Sequence, residues 1–430
     1  MPIDSSNAGI SDYSDSAEQV YTAGSTFFNG QVIGENNMRK IGVILGLVVL
    51  LLGTSATFAQ SDCQPCEPLC SPCDPLCGTG SPFKFGGWVE FGVFTNSHGY
   101  NNNGPMHDQS RARTDFGMTQ LYLYAEKEMD TRRGFDWGAK TEFVYGTQGG
   151  IPQCYDGTFD AGWGLNKHGY QMAASELYGT VGYKNLSVKA GKFAGLVGWE
   201  AAASKDNFFY SHSNCYWIEP ATHMGVLGTY EATDRLSLTA GWTTGSDCSF
   251  ENPYNGQSVL AGFQYALTDK ANVHYYINAG KQYIDPVVDY FVQSLCLEWN
   301  LTDRFTYVMQ YNLRNDNERG GGARSSAYGI NNHFLYKLND KWGVGTRFEW
   351  LRDNGSAGFN ANPGDYYEIS LGLNWSPWTN VSVRPEVRYD WCNGATPFGP
   401  SDVFGGSPVV DSHGVHSDQV SGGFAVVVSF

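Results

Sequence analysis

The stretch "NVSVRPEVRYDW" occupies residues 380–391. Val381, Val383, Pro385, Val387, Tyr389 and Trp391 alternate without a break against Asn380, Ser382, Arg384, Glu386, Arg388 and Asp390. Period two belongs to an extended strand, whose successive side chains point to opposite faces. One face here is apolar and the other ionic. A soluble sheet buries the first and wets the second. A membrane-spanning barrel inverts this, with the apolar face against lipid and the ionic face around water.

Neighbouring segments repeat the pattern. In residues 342–351, "WGVGTRFEWL", Trp342, Val344, Thr346, Phe348 and Trp350 share one face, and Arg347 and Glu349 the other. In 135–145, Phe135, Trp137, Ala139, Phe143 and Tyr145 oppose Asp136, Lys140 and Glu142. In 305–314, Phe305, Tyr307, Met309, Tyr311 and Leu313 oppose Thr306, Gln310, Asn312 and Arg314. The connections alternate as well. Short ones recur in similar wording: "ATDR" at 232–235, "LTDK" at 267–270, "LTDR" at 301–304, "LNDK" at 338–341 and "SPWT" at 376–379. Asp and Asn favour tight turns because their side chains bond nearby backbone groups. Long polar stretches fall between, among them 147–172, 194–223 and 392–417.

The pattern predicts about sixteen strands, from 83–95 to 419–430. A β-sandwich rarely needs so many long strands with long loops at one end only. A propeller would repeat in four-strand blades, and no such period is present. The fold class expected is therefore all-β: a transmembrane, antiparallel, up-and-down β-barrel. Lipid cannot solvate backbone amides, so such a sheet must close on itself. The segment "GGFAVVVSF" at 422–430 fits closure. Phe424, Val426, Val428 and Phe430 would form its lipid face, and the strand would pair with 83–95. Trp299, Trp342, Trp350, Trp375, Trp378 and Trp391 fall near strand ends, which suits the headgroup girdle.

Composition agrees. Charged residues make up only 16%, aromatics 15%, and Gly numbers 53 of 430 residues. Mean hydropathy is nevertheless negative, at −0.34. A helical bundle or coiled coil has the opposite balance. The formal net charge of −16 argues against nucleic acid as a partner.

Residues 38–60, "MRKIGVILGLVVLLLGTSATFAQ", read as an export signal over 38–59. Arg39 and Lys40 precede an apolar run too short to span a membrane, and small residues follow. Translation is expected to start at Met38, with 1–37 a non-native extension and the mature chain beginning near Gln60. Residues 60–82 form a Cys/Pro-rich linker. Its cysteines Cys63, Cys66, Cys70, Cys73 and Cys77 are candidates for disulfides in an oxidising compartment. CxxC spacing also suits metal, but no His stands near them. Cys154, Cys215, Cys248, Cys296 and Cys392 are scattered, four of them in expected loops, which leaves room for a loop disulfide.

Residues 83–430 resemble the β-barrel porin-2 (OmpL-like) family of bacterial outer-membrane proteins. The likeness lies in "QLYLYAEK" at 120–127, "AGKF" at 190–193, "GTRFEWLRDNG" at 345–355, "RPEVRYDW" at 384–391 and the terminal "GGFAVVVSF". It implies passive diffusion of small hydrophilic solutes or ions, with no cofactor. It also implies partners: outer-membrane lipid, lipopolysaccharide and the barrel-assembly machinery, with a homotrimer as one assembly it allows. By the same resemblance, the loop after the fifth strand, 194–223, folds into the lumen and narrows it.

That loop carries Glu200, Lys205, Asp206 and Glu219. Facing it across water would be Lys140, Glu142, Lys189, Arg347, Glu349, Arg384, Glu386 and Arg388. Opposed charges across a pore order water and screen solutes by charge and dipole. Alternatively, these charges pair along the wall. No HExxH, Walker loop or GxSxG occurs, and His274 and His333 have no recognised nucleophile beside them, so no enzyme activity is expected. An adhesin or structural anchor, working through its surface loops or the Cys-rich linker, is the alternative function.

Overall fold

A computed structural model describes residues 82–98, 114–166, 169–253, 255–282, 288–318, 324–355, 363–398 and 416–430. The expected leader, the linker and Cys63, Cys66, Cys70, Cys73 and Cys77 lie outside the described residues.

Sixteen strands are present. They are β1 (Phe83–Asn96), β2 (Thr114–Lys127), β3 (Phe135–Gly146), β4 (Gln171–Tyr183), β5 (Leu186–Ala194), β6 (Thr222–Thr233), β7 (Leu236–Ser246) and β8 (Gln257–Thr268). The second half comprises β9 (Ala271–Gln282), β10 (Val288–Asn300), β11 (Phe305–Glu318), β12 (Arg324–Lys337), β13 (Trp342–Asp353), β14 (Gly364–Trp378), β15 (Val381–Asn393) and β16 (Asp418–Ser429). Each pairs antiparallel with its sequence neighbours, and β16 pairs with β1 to close the barrel. The seam runs from Trp88↔Ser429 to Asn96↔Ser421. Phe430 extends it, since its amide donates to the Gly87 carbonyl at 2.9 Å and its carbonyl accepts from the Gly87 amide at 3.0 Å.

The alternation in β15 decides which face is which. Arg384, Glu386, Arg388 and Asp390 are buried, while Val387 on the opposite face is 59% exposed. The same inversion holds at Phe116, Phe135 and Trp378, all large, apolar and exposed on their strands. So much contiguous apolar surface is unstable in water and is what a hydrocarbon environment removes. Aromatics concentrate near the short turns. Trp342 and Trp375 are cross-strand partners with stacked rings 5.5 Å apart.

One strand runs past its expected end. The apolar alternation of β11 stops at Arg314, but its ladder with β10 continues to Val288↔Glu318. Backbone pairing does not need a lipid-facing side chain, so a strand can rise beyond the bilayer on polar residues. Inside it, the Arg314 Nε donates to Asp316 Oδ2 at 3.0 Å.

The loop-disulfide expectation is not met among the described cysteines. Cys154, Cys215, Cys248, Cys296 and Cys392 are buried thiols, none of them in a disulfide. Cys296 lies within β10 and Cys392 within β15.

Candidate functional site

The inward faces of β13, β14 and β15 form a grid of ionic residues. Cross-strand register sets Arg347 beside Ser370 and Ser370 beside Arg388. One row away, Glu349 stands beside Glu368, and Glu368 beside Asp390. Carboxylates directly opposite each other repel, so this row requires compensation. Arg347 compensates Glu368 and Arg388 compensates Asp390, while backbone amides of the segment 195–221, which leaves β5 and lies against the inward faces of the opposite wall, compensate Glu349.

Arg347 is the centre of that contact and is fully buried. Its Nε donates to Glu368 Oε2 at 2.9 Å and its Nη1 to Glu200 Oε1 at 2.8 Å. It also donates from Nη1 to the Ser211 carbonyl at 2.8 Å and from Nη2 to Ser211 Oγ at 3.0 Å. Arg388 donates to the His212 carbonyl at 2.6 Å and pairs with Asp390 at 2.7 Å. Arg384 donates to the carbonyls of Ser204 at 2.5 Å and Asn207 at 3.0 Å, and pairs with Glu90 of β1. The acids bind the loop too. Glu386 Oε2 accepts from the amides of Tyr210 and Ser211, both at 2.9 Å. Glu349 accepts from the amides of Asn214 at 2.6 Å and Cys215 at 2.5 Å. Charge-assisted bonds of this kind offset the cost of taking ions out of water.

Aromatics complete the seat. Phe208, Phe209 and Tyr210 lie over inward-facing glycines. A Cβ added to Gly345 would come within 2.5 Å of the Phe208 ring, and one on Gly372 within 3.0 Å of Phe209. On Gly423 it would meet Tyr210 at 2.5 Å. Gly345 and Gly372 are cross-strand partners, so the floor is continuous. Beyond it, Trp199 donates from Nε1 to Glu298 Oε2 of β10 at 3.2 Å, and Gln120 of β2 donates to the Ala202 carbonyl at 2.8 Å.

Loop carboxyls differ sharply in electrostatics. Burial alone would raise Glu200, but the adjoining Arg347, with His333, His212 and the Ser213 hydroxyl, brings it down to about 2. Burial dominates at Glu219 and drives it well above the ordinary range, only partly opposed by the Asn312 amide. Asp247, just after β7, is pushed up to about 6 by burial, although it accepts from the Thr222 amide at 2.7 Å.

The ladder therefore does not face the loop across water, as the sequence suggested. Arg347, Glu349, Arg384, Glu386 and Arg388 are buried beneath it and bonded to it. Loop and wall are complementary in charge, and direct contact saves both from solvating each other through a gap. Lys140, Glu142 and Asp206 lie elsewhere, on a cavity of about 460 Å³ between the loop and the β1–β4 wall. Lys140 bridges Glu142 at 2.9 Å and Glu176. Lys189 stands 4.2 Å from the Tyr178 ring centroid. Sequence reading did not find Phe208, Phe209, Tyr210 and their glycine floor. The available signal was the set of glycines at inward positions of strands that are otherwise ionic there.

A closed, sixteen-stranded antiparallel barrel with an apolar exterior and an ionic interior is the architecture of an outer-membrane channel. The chain belongs to the family described as "Putative beta-barrel porin-2, OmpL-like", whose match spans residues 82–430. In structure it is similar to the anion-selective porin from Comamonas acidovorans, with a TM-score of 0.53 at 10% identity, covering 81% of this chain and 99% of that one. It is also similar to the outer membrane channel DcaP of Acinetobacter baumannii, with a TM-score of 0.53 at 11% identity over 81% and 97% of the two chains. No curated protein matches it in sequence.

Proposed function

We propose that this channel passes small hydrophilic solutes by passive diffusion, and that segment 195–221 sets its bore. Sixteen strands enclose more space than side chains alone fill. The segment takes up part of that space on the β9–β16 side. Among the spaces left are a cavity of about 460 Å³ against β1–β4 and a smaller one of about 290 Å³ beside Phe208. The observation that carries the reading is the density of fixed bonds under the loop: Arg347, Arg384, Arg388, Glu349 and Glu386 each hold its backbone. A loop held this way keeps a constant aperture and needs no energy input. In the membrane, the short turns would face the periplasm and the long loops the exterior, after export through the signal at 38–59.

The test is solute flux into liposomes carrying the purified, folded barrel, using sugars of graded size. Rates are expected to fall steeply from mono- to trisaccharide. Folded protein that admits none of them contradicts a diffusion role and favours an adhesin or anchor.

A further inference from the structure

We propose that the open lane prefers cations over anions; this rests on the channel reading above and names the solute class it favours. The arginines, which in sequence make the lumen look basic, do not contribute to the lane. Arg347, Arg384 and Arg388 are buried behind the loop, each paired with a carboxylate. What faces the cavity is a different set of charges.

Among the described residues, the basic groups on its lining are Lys84, Lys140 and Lys205. Each is already matched. Lys84 pairs with Glu128 at 2.6 Å, and Lys205 with Asp206 at 2.6 Å. Lys140 is shared between Glu142 and Glu176. Of the three loop acids that reach the cavity, Glu200 is bonded to Arg347, and Glu219 is enclosed by the side-chain amides of Gln310 and Asn312. That leaves Glu126, Glu128, Glu142, Glu176 and Asp206, five carboxylates against three ammonium groups. Counting Lys189, which stands over Tyr178 beside the lane, makes it five against four.

Glu126 is the residue that breaks the balance. Register places it directly opposite Lys84 on one side and Lys140 on the other. Both lysines turn to other carboxylates instead, and Glu126 forms no ion pair among the described residues. A carboxylate that no ammonium group contacts, on the wall of a passage bounded by low-dielectric protein, raises the local concentration of cations and repels anions. A second cavity, of about 290 Å³ at the turn end, carries Arg304, Lys337 and Lys341 against Asp303 and Asp340 but shares no lining residue with the lane. Its Lys337–Asp340 pair is largely exposed and so strongly screened.

The experiment is the reversal potential of the purified full-length protein in a planar bilayer under a KCl gradient. Potassium is expected to permeate roughly threefold or more over chloride, with the ratio growing as salt is diluted and screening weakens. Glu126→Gln, nearly isosteric, should lower that ratio, and Glu126→Lys should bring it to parity or reverse it. A wild-type channel that favours chloride, or a ratio unmoved by Glu126→Gln, overturns the proposal. A folded protein with no conductance at all would overturn the channel reading itself and this inference with it.

Discussion

Arg347 concentrates the chemistry of the loop seat in one side chain. It is fully buried and reaches Glu200, Glu368 and the Ser211 carbonyl at once. Removing one member of a buried ion pair costs about 3–5 kcal/mol when the remaining charge stays buried. Here the structure has an escape: the loop can lift and let water reach the carboxylates. Arg347→Met is therefore expected to keep a folded barrel while raising single-channel conductance; unchanged conductance would mean the guanidinium does not hold the loop. Asp247 gives a separate prediction at the loop end. Its folded carboxyl is raised to about 6, mainly by burial. A raised acid stabilises the fold below its ordinary value near 4, and that contribution is lost as pH climbs through 6. Asp247→Asn keeps an acceptor for the Thr222 amide and removes the ionisation. It should raise the thermal midpoint at pH 8 and change it little at pH 4.

At the scale of elements, the loop and the wall beneath it fit by shape as well as charge. The floor of Gly345, Gly372 and Gly423 leaves room for Phe208, Phe209 and Tyr210. Gly345→Leu should unseat the aromatics without disturbing the outward face of β13, giving a folded barrel of higher and noisier conductance. Acid should act on the same contact through Glu200. Its carboxyl is depressed to about 2, so the stability it lends is present above its ordinary value near 4.5 and drains away as pH falls toward 2. Through Glu200, conductance should rise below about pH 3. Much of this element was legible in sequence: the loop's length, its place after the fifth strand, and the ladder of Arg384, Glu386 and Arg388 opposite. Its docking was not legible. Period two tells which face a charge lies on, but not whether water or another segment meets it there. Bonds from Arg347 to residues 136 positions away depend on how the loop crosses the lumen, which no local pattern encodes.

For the whole molecule, the fold could be read early because its physics is repetitive. Strand after strand repeats one rule, apolar outward and polar, ionic or small inward, and the short and long connections fall alternately. The polar end of β11 could not be read, since pairing there continues without an apolar face. The lane's charge balance was also hidden. It depends on which lysine turns to which glutamate, as when Lys84 passes over its register partner Glu126 for Glu128. The central claim is that a segment bonded to one wall sets the aperture of an open barrel. It is tested most directly by single-channel conductance of the wild type beside a variant whose residues 199–217 are replaced by a short Gly-Ser linker. The account predicts discrete, ohmic steps in the wild type and steps severalfold larger in the variant. Equal steps in two folded barrels would contradict it.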